Sequence, residues 1–164
     1  MRALLSSRRR TRAQSMVEFA LILPVLIAVI FGIIELGILF SVYIGMTNSA
    51  REAARAGAVY QYTGTAPMTG DSTIQPTIDS ERNQYISQII TDTISPMINP
   101  TTQLTTTVSY TTLLTTLPEN VYRAGETVNV QLEHDQPLFF GLLGPKKIHM
   151  RATSSMRIEP GGKR

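Results

Sequence analysis

Residues 19–46 form a block of 28 positions with a single charge, Glu35. Sixteen nonionic residues run without a break over 19–34, and eleven more follow over 36–46. A bilayer core about 30 Å thick takes about 20 helical residues at about 1.5 Å each. The block is long enough to span with tilt or overhang, and it predicts a transmembrane helix. A buried helix of a soluble protein is the rival reading, disfavoured because helices in so small a core are usually amphipathic. An ordinary cleaved secretory signal has an apolar stretch about half as long, followed closely by a small-residue cleavage site. Good helix formers continue over 47–58, so one helix is expected from about Ser15 to Ala58. Pro24 removes a backbone hydrogen bond inside it, which predicts a kink or local melting.

Beyond residue 60 the pattern breaks at Gly64, Pro67, Gly70 and Pro76, which reads as a loop. A second helix is expected over about 81–98, capped by Asp79 or Ser80, because Ile86, Ile89, Ile90, Ile94, Met97 and Ile98 form one apolar stripe. From residue 101 the period falls to two. Leu104, Thr106, Val108 and Tyr110 make one alternating run, Val128, Val130 and Leu132 a second, and Ile148 to Ile158 a third. Three half-buried antiparallel strands fit this pattern. The expected class is α+β: a long N-terminal transmembrane helix, one amphipathic helix and a small antiparallel sheet of about three strands. The chain divides into a basic leader (1–13), the helix and its extension (14–58) and an α+β unit (59–164).

Charge sharpens the membrane reading. Fifteen basic residues against twelve acidic give +3, but Arg2, Arg8, Arg9, Arg10 and Arg12 all precede residue 14. The excess lies on one side of the apolar block, which predicts a cytoplasmic N-terminus and an extracytoplasmic C-terminal unit. A basic tail of this kind is not a nucleic-acid-binding face, and no nucleic acid is expected as a partner. The chain has no cysteine, which excludes disulfides, thiol nucleophiles and zinc–thiolate sites.

The segment 8–58 carries a basic leader, a small-residue junction, the run Val17, Glu18, Phe19, Ala20 and Leu21, then Pro24, Phe31, Gly32 and Glu35, and an Ala/Arg-rich helix end. It resembles the N-terminal domain of TadE-like proteins, the pseudopilin-like components of tight-adherence (Tad) pilus systems. The resemblance implies a precursor cut by a prepilin-type peptidase between Ala13 and Gln14, with Glu18 as the fifth residue of the mature chain. Prepilins typically carry Gly before the cut, where this chain has Ala13. It further implies pilin-like subunits and Tad membrane components as partners, besides the lipid bilayer.

Three features point to assembly. In related pilins the position of Glu18 compensates the new amine left by cleavage, here on Gln14; the plainer reading makes Glu18 a marker of the helix's aqueous edge. Glu35 lies about 25 Å further along the axis, inside the apolar block, where a carboxyl group is costly unless another helix or the interface receives it. Gly37, Ser41, Gly45, Ser49, Ala53 and Gly57 form an unbroken i+4 series of small residues, a pattern that lets helices approach closely in lipid.

Nothing in the chain carries catalytic chemistry. It has no GxSxG, HExxH, P-loop or GxGxxG motif, and neither an enzymatic activity nor a cofactor is expected. His134 and His149 each read as exposed strand residues. Asp71, Ser72 and Asp79 lack calcium-ligand spacing. The apolar stretch 138–143 reads equally as a contact tip or a folded-in loop. Arg51 and Arg55 are expected at the outer membrane boundary. The sequence thus predicts a single-pass pseudopilin-like component of Tad pilus assembly or secretion, the alternative being an uncleaved bitopic protein displaying a binding module.

Overall fold

The computed structural model describes residues 3–61, 75–94, 96, 98, 103–111, 123–138 and 147–159, with the backbone alone for 3–13 and 75. The elements follow in the order α1 (Ala3–Val59), α2 (Gln75–Thr93), β1 (Leu104–Thr111), β2 (Thr127–Pro137) and β3 (Lys147–Arg157). The class is α+β, with a long apolar N-terminal helix, a second helix and an antiparallel sheet in the order β1-β2-β3.

Pro24 lies inside α1 without ending it, so the expected local melting does not occur. One missing N–H is a local loss, and an apolar segment offers its backbone no partner better than its own helix. The expected start and end of the second helix also move. α2 begins at Gln75, which places Pro76 in its first turn; there an N–H has no intrahelical partner, so its absence costs nothing. The helix stops at Thr93, before Pro96, because a residue ahead of proline is driven out of the helical region. Asp79 therefore sits within the helix and does not cap it.

The strands lie where the period-two runs put them, with β2 extended to Pro137. Even-numbered residues of β2 face inward, and Val128, Val130 and Leu132 are fully buried. They pair with Tyr110, Val108 and Thr106 of β1 and with Met156, Ser154 and Ala152 of β3. The inner face of the sheet lies against α1, and α2 packs on α1 beside it. The shared core comprises Val42, Met46, Ala50, Ala53, Ala54 and Ala58 of α1, Ile86 and Ile90 of α2 and the inward residues of the sheet, closed by Ile94, Ile98 and Ile158. Glu159 donates its backbone N–H to the Ala58 carbonyl at 3.2 Å, which ties the chain after β3 to the end of α1. Burying an isoleucine or leucine contributes about 1.5–3 kcal/mol, so these side chains hold the two layers together.

Candidate assembly face and its supports

The two parts of α1 differ in what covers them. Over residues 14–34 every side chain is exposed except Leu23 and Gly32, which are half-buried. That length is about 31 Å at 1.5 Å per residue, close to a bilayer core. From Glu35 onward one side of the same helix is covered. Glu35 is 1% exposed, and Val42, Met46, Ser49 and Ala50 follow on the covered side. α1 is long and apolar enough to cross a membrane, and its most apolar stretch is wholly uncovered by the rest of the chain.

Glu18 is exposed on the uncovered part, and Gln14 donates its side-chain amide to Glu18 Oε1 at 3.2 Å across one helical turn. Gln14 and Glu18 thus share a face, and α1 runs unbroken past Ala13 on its N-terminal side. Glu35 is enclosed within the chain, which gives its carboxyl group a protein environment without snorkelling or a neighbouring subunit.

The series of small residues splits in the same way. Gly37 and Ser41 are exposed, Gly45 is half-buried, and Ser49, Ala53 and Gly57 are buried inside the chain. Ser49 Oγ lies 2.7 Å from Thr93 Oγ1 and donates to the Ile90 carbonyl at 3.4 Å, both on α2. A Cβ placed on Gly57 would stand 2.6 Å from Ile86 Cδ1, whereas one on Gly32 or Gly37 would meet nothing within 4 Å. The small residues of the upper series admit α2 and the sheet to close range. Ser49 is therefore a contact within the chain and not a position on an external seam, because the chain's own α2 already fills the space beside it. The external remainder is Gly37, Ser41 and Gly45.

A family model described as TadE-like protein matches residues 13–55. The N-terminal helix is TadE-like. The match takes in Gln14, Glu18, Glu35 and most of the small-residue series and ends before α2 and the sheet begin. No curated protein and no solved structure matches the chain. The match and the long apolar helix fit a membrane protein associated with the Tad pilus.

Beside the TadE-like helix the structure contains a polar cluster that the sequence did not disclose. Arg123 grips Asp79 of α2 with two nitrogens, Nε at 2.9 Å and Nη2 at 2.9 Å, and donates Nη1 to Glu126 at 2.8 Å. Its guanidinium stacks 4.4 Å from the Tyr110 ring centroid, and that of Arg82 lies 5.6 Å from the same ring. Arg82 is 1% exposed and 3.6 Å from Asp79. Arg123 has φ +56°, a left-handed conformation costly for a residue with a Cβ, and the bidentate grip and stacking hold it there. Hydrogen bonding to Asp79 raises the Arg123 pKa further. Burial raises the Tyr110 pKa, and its hydroxyl donates to Asn83 Oδ1 at 2.6 Å. The cluster fastens the first turns of α2 to the turn that opens β2. Asp79 and Arg123 are 44 residues apart, and no local pattern announces the pairing.

The histidines separate. His149 is exposed, 2.8 Å from Asp135, whose pKa it lowers by hydrogen bonding. His134 is 3% exposed, a correction to its expected exposure. Its Nδ1 lies 2.8 Å from the Gln103 carbonyl and its Nε2 2.9 Å from Gln136 Oε1. The phase of Val128, Val130 and Leu132 carries on to 134 and 136 and turns both side chains inward. On the outward face Glu133 meets Arg151 at 2.7 Å. Among the described residues no group of three His, Asp or Glu side chains could hold a metal ion. Arg51 and Arg55 are exposed on α1, Asp71 and Ser72 lie outside the described residues, and so does the stretch 138–143 apart from Leu138.

Proposed function

We propose that this chain is a single-pass, pseudopilin-like component of Tad pilus assembly or secretion, with its N-terminus cytoplasmic and the α+β unit outside. The observation that carries this reading is the uncovered stretch 14–34, an apolar helix of bilayer length within the TadE-like match. Its large apolar side chains, Phe19, Leu21 and Val25 among them, are exposed, so lipid and other pilin-like subunits are their natural surroundings. A prepilin-type peptidase removes the leader between Ala13 and Gln14. Glu18, one turn on, then faces the new Gln14 amine of its own or a neighbouring subunit, an ion pair that gains strength in a water-poor interface. Gly37, Ser41 and Gly45 supply the close-approach side of the helix. The role is assembly, without an enzymatic step or a cofactor.

The test is the mass of the membrane-extracted protein produced with its cognate peptidase. A chain starting at Gln14, together with loss of assembly in Glu18→Ala, supports the proposal. A chain retaining residues 8–13 would favour the second reading, an uncleaved bitopic protein displaying the outer unit. The unbroken helix from Ala3 through the junction speaks for that second reading.

A further inference from the structure

Glu18 and Glu35 together set the depth of this protein. An exposed carboxylate does not belong in hydrocarbon, so the apolar core of the bilayer begins just after Glu18, near Phe19. About 30 Å further, at about 1.5 Å per residue, it ends near Ile38. Glu35 falls inside that interval and is nevertheless 1% exposed, so protein covers α1 below the membrane surface.

At this level α1 and β3 form an open groove of about 560 Å³, lined by Leu36, Gly37, Leu39, Phe40, Tyr43 and Met150. Every lining residue is apolar except for the Tyr43 hydroxyl. Leu36 is 56% exposed and Phe40 66%. The groove is continuous with the exposed apolar surface of residues 14–34 and straddles the boundary near Ile38. The charged side chains nearest this end of the sheet, Asp135 and Lys147, and the polar His149 are exposed and on its outward face, where headgroups would meet them. The far end of the sheet lies well away, since Val128 packs beside Gly57 and pairs with Met156. Arg51 stands about 20 Å past Ile38 along the axis, beyond the headgroup layer, so it does not mark the boundary.

We propose that the end of the sheet where β2 finishes and β3 starts is seated at the membrane surface, with a phospholipid acyl chain in the groove between α1 and β3. The inference rests on the membrane reading of α1 and adds that the α+β unit stands on the bilayer with a fixed side down. A second copy of the chain in the groove would compete with the lipid, and the two occupants separate experimentally.

The chain has no cysteine, so single thiols can be placed and labelled with a fluorophore. The full chain in phosphatidylcholine–phosphatidylglycerol nanodiscs, with doxyl-labelled phospholipid as quencher, is measured at Ile27→Cys, Phe40→Cys and Met156→Cys. The expected result is strong quenching at positions 27 and 40, several-fold above that at 156. Tyr43→Cys repeats the groove measurement independently of Phe40 and should follow it. Strong quenching at 27 with weak quenching at 40 and 43 would overturn the groove and leave the membrane helix standing. Weak quenching at 27 as well would overturn both. A thiol at 40 that crosslinks to a second copy and escapes quenching would replace the lipid with protein.

Discussion

The lower and upper parts of α1 share one apolar pattern and one backbone, yet they work differently. Over 14–34 large side chains such as Phe19, Leu21 and Val25 stand 61–73% exposed. Over 42–58 the inward side holds Val42 and Met46, then Ser49, Ala50, Ala53, Ala54 and Gly57, all buried. The residues shrink as the helix rises, because α2 and the sheet must reach its backbone. Small residues in the lower part leave open space instead. A hydrophobic run by itself does not tell a membrane span from a core helix; what covers it does.

The contrast can be broken most strongly in the shared core. Ile86→Ala, at a fully buried site, should destabilise the α+β unit by about 2–5 kcal/mol, read by thermal or urea melting. Ile27→Ala should leave the same transition unmoved. Next, Gly57→Leu should cost about 1–3 kcal/mol, since even a Cβ there crowds Ile86. Gly37→Leu should leave the fold intact and weaken crosslinking between copies through thiols at 41 and 45. Equal destabilisation by the two glycine variants would remove the distinction.

Arg123→Ala leaves Asp79 and Glu126, 17% and 12% exposed, without the guanidinium that pairs them; a loss of about 1–3 kcal/mol should result. Arg123→Lys should recover only part of it, because a lysine cannot make the bidentate grip. The smallest effect is alkaline. The Tyr110 pKa is raised in the folded state, so the folded chain holds a proton that the unfolded chain releases. Stability should be unaffected below about pH 10, the ordinary tyrosine value, and fall as pH rises beyond it. Tyr110→Phe should flatten that fall in a melting series from pH 8 to 11.

The long apolar helix, its TadE-like motif and the strand pattern were legible because each is written in consecutive residues with a fixed period. Pro76 misled as a loop signal, since proline ends a helix from inside but is accommodated in its first turn. The inward turn of His134 was legible in the parity of Val128, Val130 and Leu132, although its polar character suggested exposure. Ser49 and Gly37 are indistinguishable in the i+4 series, because spacing says that something approaches closely and not what. The Arg123 cluster had no signal at all, being assembled from α2, β1 and the turn before β2 only when the layers close.

The most direct test of the two-part helix is a cysteine scan from residue 19 to 58 in detergent-solubilised full-length protein, followed by modification with N-ethylmaleimide. The account predicts uniform reactivity around the helix up to Ile34. From Glu35 it predicts a helical rhythm, with positions 42, 46, 50, 53 and 54 protected and positions 36, 40, 43 and 44 reactive. A protected stripe continuing through 19–34, or reactivity all round the helix above 42, would contradict it.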